Sequence, residues 1–129
     1  MSNLRQGMVS IFLQMALKNK FVLIKGSLSR FRDFIFIDDV VNAFINIENN
    51  PNSYNKVYNI GSGKRTEINE LIGLFEKLLP FDIDYEVKGN TSGDQHGIYP
   101  NINQVLKDIN WNPKVSLEHG LAKMINFYI

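Results

Sequence analysis

The sequence predicts a small mixed α/β domain in which four or five helices alternate with three or four short strands. Three observations carry that reading. Apolar residues recur at helical spacing, as in Met8, Ile11, Phe12, Met15 and Ala16. Short runs of β-branched and aromatic residues, such as Phe21–Ile24, sit between turn formers. A length of 129 residues with 44% hydrophobic composition suits one core, so 1–129 is expected to be a single domain. That length is too short for a complete doubly wound nucleotide-binding fold.

The elements follow in order. The first helix starts at Met8 and runs to Lys18 and Lys20, cations that suit the negative end of a helix. A strand over 21–24 leads into the turn-rich stretch 25–30, and a second strand is expected over 34–37. Asp38 or Asp39 is placed to cap the next helix, whose apolar side is read as Val40, Val41, Phe44, Ile45 and Ile47. After a loop at 49–53, a third strand is expected over 56–60, closed by Gly61, Ser62 and Gly63. A strong helix from about Glu67 to Leu79 carries Ile68, Leu71, Ile72 and Phe75 on one side and is stopped by Pro80. Residues 82–87 alternate like a strand, 88–100 read as a polar loop, and Asn101 can cap a short helix to Ile109. Ser116 opens the last helix, with Leu117, Leu121, Met124, Ile125 and Tyr128 apolar.

Composition excludes several function classes. Fourteen basic against 13 acidic residues give no bulk attraction to nucleic acid or to an anionic membrane. No apolar run approaches the roughly 20 residues that span a bilayer, and the first residues do not look like a signal peptide. The absence of cysteine removes thiol catalysis and cysteine-ligated metal sites, and fits a cytoplasmic protein. No metal site is expected from the two histidines.

Individual motifs were tested for chemistry. The stretch 61–66 (Gly-Ser-Gly-Lys-Arg-Thr) fails as a phosphate loop, because position 58 is Tyr58 and Arg65 follows Lys64. A strand-to-helix turn is the favoured reading there. No Gly-x-Gly-x-x-Gly follows a strand, no tyrosine has a lysine four residues on, and no Ser-His-Asp set can be assembled, so no catalytic or cofactor-binding residue is assigned. Asp38 and Asp39 read as capping residues rather than a catalytic pair, and His119 as solvated. His96 lies in the long loop beside Gln95, where ligand contact is plausible. Arg32 precedes an apolar run, and its guanidinium suits a phosphate. An ion pair with Asp33 or Asp38 fits the spacing equally well.

Residues 32–43 (Arg-Asp-Phe-Ile-Phe-Ile-Asp-Asp-Val-Val-Asn-Ala) resemble the hallmark of the extended short-chain dehydrogenase/reductase family. More narrowly, they resemble the C-terminal substrate domain of NAD-dependent nucleotide-sugar epimerases and dehydratases. Three further stretches fall in that family's order: 57–63 (Val-Tyr-Asn-Ile-Gly-Ser-Gly), Gly93 with Asp94, and 111–113 (Trp-Asn-Pro) followed by 117–121 (Leu-Glu-His-Gly-Leu). Met8–Phe12 and 21–26 fit the helix and strand before the hallmark.

The resemblance implies a nucleotide-sugar substrate, and NAD bound by a Rossmann domain that this chain lacks. It also implies a homodimeric parent, and a chain inactive on its own. By position, Arg32 would hold the diphosphate or ribose, Leu23 and Lys25 would line the base pocket, and Gly7 and Met8 would approach the diphosphate through helix amides. Relatives carry a second arginine where this chain has Thr91 and an aspartate where it has Asn101; Gln95 or His96 could supply replacement donors. Two other functions stay open: the substrate domain of an NAD(P)-dependent reductase of another small molecule, and a non-catalytic binding module. Without the Rossmann layer, the apolar first helix and the strands 21–24 and 34–37 are expected to be partly exposed and to drive self-association.

Overall fold

The computed structural model describes residues 7–90, 92–93 and 95–129. Its architecture is mixed α/β, with five α-helices and four short strands among the described residues. The chain forms two compact units. One takes the chain up to Arg30, Glu67–His96 and Leu121–Ile129; the other takes Phe31–Thr66 and Gly97–Gly120.

The first unit is built on a helix and a parallel strand pair. Helix α1 (Met8–Asn19) buries Phe12, Leu13 and Ala16 and closes at Lys20, whose left-handed conformation (φ 50°) lets its amide return to the Ala16 carbonyl at 2.9 Å. Strand β1 (Phe21–Ile24) pairs in parallel with β4 (Asp84–Val87), Phe21 opposite Asp84 and Ile24 opposite Val87. Val22 and Ile24 are fully buried, so β1 alternates as a half-buried strand should. Helix α3 (Ile68–Leu78) begins with the Glu70 carboxylate accepting the Glu67 amide at 2.6 Å. It buries Ile68, Leu71, Ile72 and Phe75, and stops before Pro80. The turn before β2 is tied down by Arg30, whose guanidinium donates to the Lys25 and Ser27 carbonyls. Gly26 has φ +90°, a conformation that side-chain-bearing residues rarely adopt, so glycine is favoured there. Leu121 and Ile125 complete the core.

The second unit packs helices around one aromatic. Ala43 of α2 (Ile37–Glu48), Val105 and Ile109 of α4 (Asn103–Ile109), and Ile102 cluster with Trp111, while Ile35, Ile47, Tyr58, Ile60 and Leu106 pack against them. Short strand β2 (Phe31–Arg32) pairs with β3 (Thr66–Glu67). A 3₁₀ turn at Pro51–Ser53 follows α2. The last helix, α5 (Leu117–Tyr128), begins in this unit.

Several expectations are corrected. The apolar run 34–37 is not a strand: pairing occurs earlier, at Phe31–Arg32, and Ile37 already belongs to α2. Residues 56–60 form no strand either. Tyr58 and Ile60 face the core while Val57 is 90% exposed, so alternation there records burial without a hydrogen-bonded neighbour. Neither Asp38 nor Asp39 caps α2, since Phe36 is the N-cap residue. Asp39 is buried instead, and its carboxylate accepts the amides of Lys114 (3.0 Å) and Val115 (2.9 Å). Asn101 precedes α4 by one more residue than expected; its side chain accepts the Asn103 amide at 2.9 Å. Of the apolar face expected to be partly exposed, Phe12, Ala16, Val22 and Ile24 are buried, Met8, Met15 and Leu23 are half-buried, and Phe21 and Ile37 are exposed. The apolar side of α2 is the part left open: Val41, Phe44 and Ile45 are exposed.

Candidate functional site

Arg32 is the site residue whose setting is best defined. It is the second residue of β2, half-buried, with Nη1 donating to the Phe31 carbonyl at 2.7 Å. Both chain neighbours are anchored. On one side, the Phe31 ring lies 6.2 Å edge-on from Tyr99, with the Arg65 guanidinium 4.1 Å above its centroid. Phe31 also bridges in parallel to Gly97, where a Cβ would come within 2.2 Å of the ring; only glycine admits that approach.

On the other side, Asp33 reaches into the 61–64 turn. Its carboxylate accepts the Ser62 amide (2.8 Å), the Ser62 hydroxyl (3.0 Å) and the Lys64 amide (3.2 Å). Two consequences follow. The backbone of Arg32 is held from both flanks, so its side chain starts from a fixed base. The turn amides that a phosphate loop would offer to a ligand are already taken by an internal carboxylate, which explains physically why that motif fails. Of the two partners that spacing suggested for Arg32, Asp33 is committed to the turn.

A second polar cluster lies in the same unit. Asp108 on α4 accepts from Lys56 Nζ (2.8 Å) and from the Tyr58 hydroxyl (2.9 Å). The Lys56 hydrogen bond, then that of Tyr58, holds the Asp108 carboxyl below the usual carboxylate range. The same pairing raises Lys56, and burial followed by the Asp108 hydrogen bond raises Tyr58. These contacts staple the 56–58 segment onto α4.

The other sequence candidates divide between the units. Asn101 shares the unit of Arg32 and is exposed. Gly7, Met8, Leu23, Lys25, Gln95 and His96 belong to the first unit. Gly7 is exposed with φ 86°, and Met8 opens α1, whose first turn carries no acidic residue. Leu23 is half-buried in β1, while Lys25, Gln95 and His96 are exposed. Thr91 and Asp94 lie outside the described residues. Sequence reasoning missed Asp33, Asp39, Arg65 and Tyr99 as organising residues. Asp33 meets its partners 29 and 31 positions away, and Asp39 meets its partners 75 and 76 away, so no local pattern marks them.

Comparison with known proteins gives a consistent answer. The family model for the NAD dependent epimerase/dehydratase family matches residues 2–61. The dTDP-4-dehydro-6-deoxyglucose reductase of Escherichia coli is 30% identical over 94% of this chain and 38% of its own length. The UDP-glucose 4-epimerase of Mycolicibacterium smegmatis is 29% identical over 95% of this chain and 39% of its own. The UDP-glucose 4-epimerase of Thermotoga maritima, solved with UDP-glucose, superposes with a TM-score of 0.87 at 31% identity, over 95% of this chain and 39% of that one. The chain thus spans under two fifths of the length of these relatives. The family model matches residues 2–61 and these proteins match nearly the whole chain, so the chain is similar to part of the proteins of the NAD dependent epimerase/dehydratase family.

Proposed function

We propose that residues 1–129 act as the nucleotide-sugar-binding portion of an NAD-dependent sugar-nucleotide epimerase or dehydratase. The observation that carries the reading is the likeness to the Thermotoga maritima epimerase bound to UDP-glucose, joined to an arginine, Arg32, fixed on both flanks. In this reading Arg32 contacts the diphosphate, and its planar fork suits two phosphate oxygens at once. Gly7, Met8, Leu23, Lys25, Gln95, His96 and Asn101 are the further substrate contacts proposed.

The described residues do not fit a dinucleotide. Their single Gly-x-Gly turn, at 61–63, already has the Ser62 and Lys64 amides bonded to Asp33. NAD and the hydride chemistry therefore belong, in this proposal, to the portion of the enzyme outside this chain, with the cytoplasm as its compartment and a homodimer as its assembly. The reductase reading keeps a specific support, since the Escherichia coli reductase is as similar as the epimerases.

Supplying the intact enzyme with NAD and a panel of UDP-, GDP-, CDP- and dTDP-sugars tests the proposal. Conversion of one nucleotide sugar with NAD retained supports the epimerase or dehydratase. Net consumption of NAD(P)H favours the reductase, and failure to bind any nucleotide sugar defeats the proposal.

A further inference from the structure

Very little backbone aims Arg32. Strand β2 is two residues long, and Arg32 is its last. Residues 33–36 then belong to no strand or helix before α2 begins at Ile37. Strands usually run to about five or six residues, so a ladder this short fixes direction poorly by itself. A side chain supplies the missing anchor. Asp33 Oδ1 accepts the Ser62 amide at 2.8 Å, and Oδ2 accepts the Ser62 hydroxyl at 3.0 Å and the Lys64 amide at 3.2 Å. Hydrogen bonds to an ionised carboxylate are about twice as strong as neutral ones, and this carboxylate sits one residue, about 3.8 Å along the chain, from the Arg32 Cα.

The turn that holds Asp33 is itself wedged. The Ser62 hydroxyl accepts the Lys64 amide at 3.1 Å, which closes the turn on itself. Gly61 lies hard against the Pro100 ring, where a Cβ would collide, and a Cβ at Gly63 would lie 3.1 Å from the Ile102 side chain. Ile102 belongs to the Trp111 core. Contact therefore runs without a break from that core through the 61–64 turn to Asp33, and so to the residue proposed to meet the diphosphate.

We infer that Asp33 is a positioning residue: it touches no ligand, and its bonds to the 61–64 turn set the direction of the Arg32 side chain for the diphosphate. The inference rests on the proposed function for the contact that Arg32 makes. It gives the 61–64 turn a role that its glycines alone do not indicate, as a support for Arg32 rather than a phosphate loop.

A double-mutant cycle on the intact enzyme tests the assignment, with UDP-glucose and NAD affinities read by calorimetry on the wild type, Arg32→Ala, Asp33→Asn and the double variant. Asparagine keeps the size of Asp33 but replaces one acceptor oxygen with an NH₂ group, so the three bonds cannot all survive. Asp33→Asn should raise the UDP-glucose dissociation constant about 3- to 30-fold when Arg32 is present. Once Arg32 is alanine, the same change should shift it by less than about twofold, because there is no guanidinium left to aim. NAD affinity should stay unchanged throughout. Ser62→Ala removes one bond and leaves both amides, so it should follow the same pattern with a smaller rise, and it decides the matter if Asp33→Asn does not fold. An equal rise in the two backgrounds overturns the inference, because Asp33 then acts independently of Arg32. No rise in either background overturns it as well. Arg32→Ala with an unchanged UDP-glucose affinity defeats the diphosphate reading itself, whereas a weakened Arg32→Ala beside an unaffected Asp33→Asn defeats only the positioning role.

Discussion

Removing the Asp39 carboxylate should be among the most damaging single changes in the second unit. Asp39 is 5% exposed and accepts the consecutive amides of Lys114 and Val115 at 3.0 and 2.9 Å. Asp39→Ala leaves both donors without their acceptor in a part-buried place. Each such donor costs about 1–3 kcal/mol, so the change should remove about 2–6 kcal/mol. Asp39→Asn should remove roughly half of that: its carbonyl can keep one amide, while its NH₂ meets the second amide donor to donor. A kilocalorie is worth ~3–6 °C for a chain of this length, so Asp39→Ala should lower the melting temperature by at least ~6 °C. Lys114 supplies only its backbone N–H, so Lys114→Ala should stay within about 0.5 kcal/mol of wild type. Lys114→Pro deletes that N–H and should be destabilising. Urea denaturation followed by tryptophan fluorescence reads these changes, because Trp111 lies in the core of the same unit. An Asp39→Ala chain within about 1 kcal/mol of wild type would refute the clamp.

Three further outcomes are expected. Gly97→Ala forces a Cβ to within 2.2 Å of the Phe31 ring, so it should cost about 1–3 kcal/mol and move the Phe31 ring resonances; unchanged resonances would contradict the packing. Asp108 titrates below its unfolded value, so its contribution is complete above the unfolded carboxylate pKa of about 3.9 and disappears as pH falls through the lower folded value. Asp108→Asn should therefore flatten the loss of melting temperature below about pH 4, whereas parallel acid limbs would rule this group out. The 129-residue chain alone, given NAD and UDP-glucose, should form neither NADH nor an epimerised sugar, because no tyrosine–lysine pair or dinucleotide cradle is present in it; either product, from a preparation free of other enzymes, would overturn that expectation.

How much of this was legible in the sequence varied with the range of the interactions. Helices α1 and α3 were readable because a 3.6-residue stripe, a lysine-rich end and a following proline are all local signals. The 34–37 and 56–60 runs misled for one reason. An apolar or alternating run records which residues are buried, whereas a strand also needs a neighbouring backbone, which is decided far along the chain. Helix α2 was found, but its apolar residues were read as one side. Periodicity cannot separate a face covered by the unit's own core from one left exposed, and the buried face turned out to include an acid, Asp39. Among the candidate site residues, Arg32 could be singled out by its place in the hallmark. The residues that steady it, Asp33 and Gly97, could not, because one works through a turn 29 positions on and the other through a close approach to a ring.

Arg32 is proposed to grip the nucleotide diphosphate. The most direct test is calorimetric titration of UDP-glucose into the intact enzyme and its Arg32→Ala variant, with melting temperature and NAD affinity measured on both. A charge-assisted hydrogen bond contributes roughly 1.5–3 kcal/mol, so the dissociation constant should rise about 10- to 150-fold while NAD binding holds. Arg32→Lys should recover part of the loss, since a point charge cannot reproduce the planar fork. An unchanged dissociation constant with a lowered melting temperature would contradict the account and make Arg32 a structural residue.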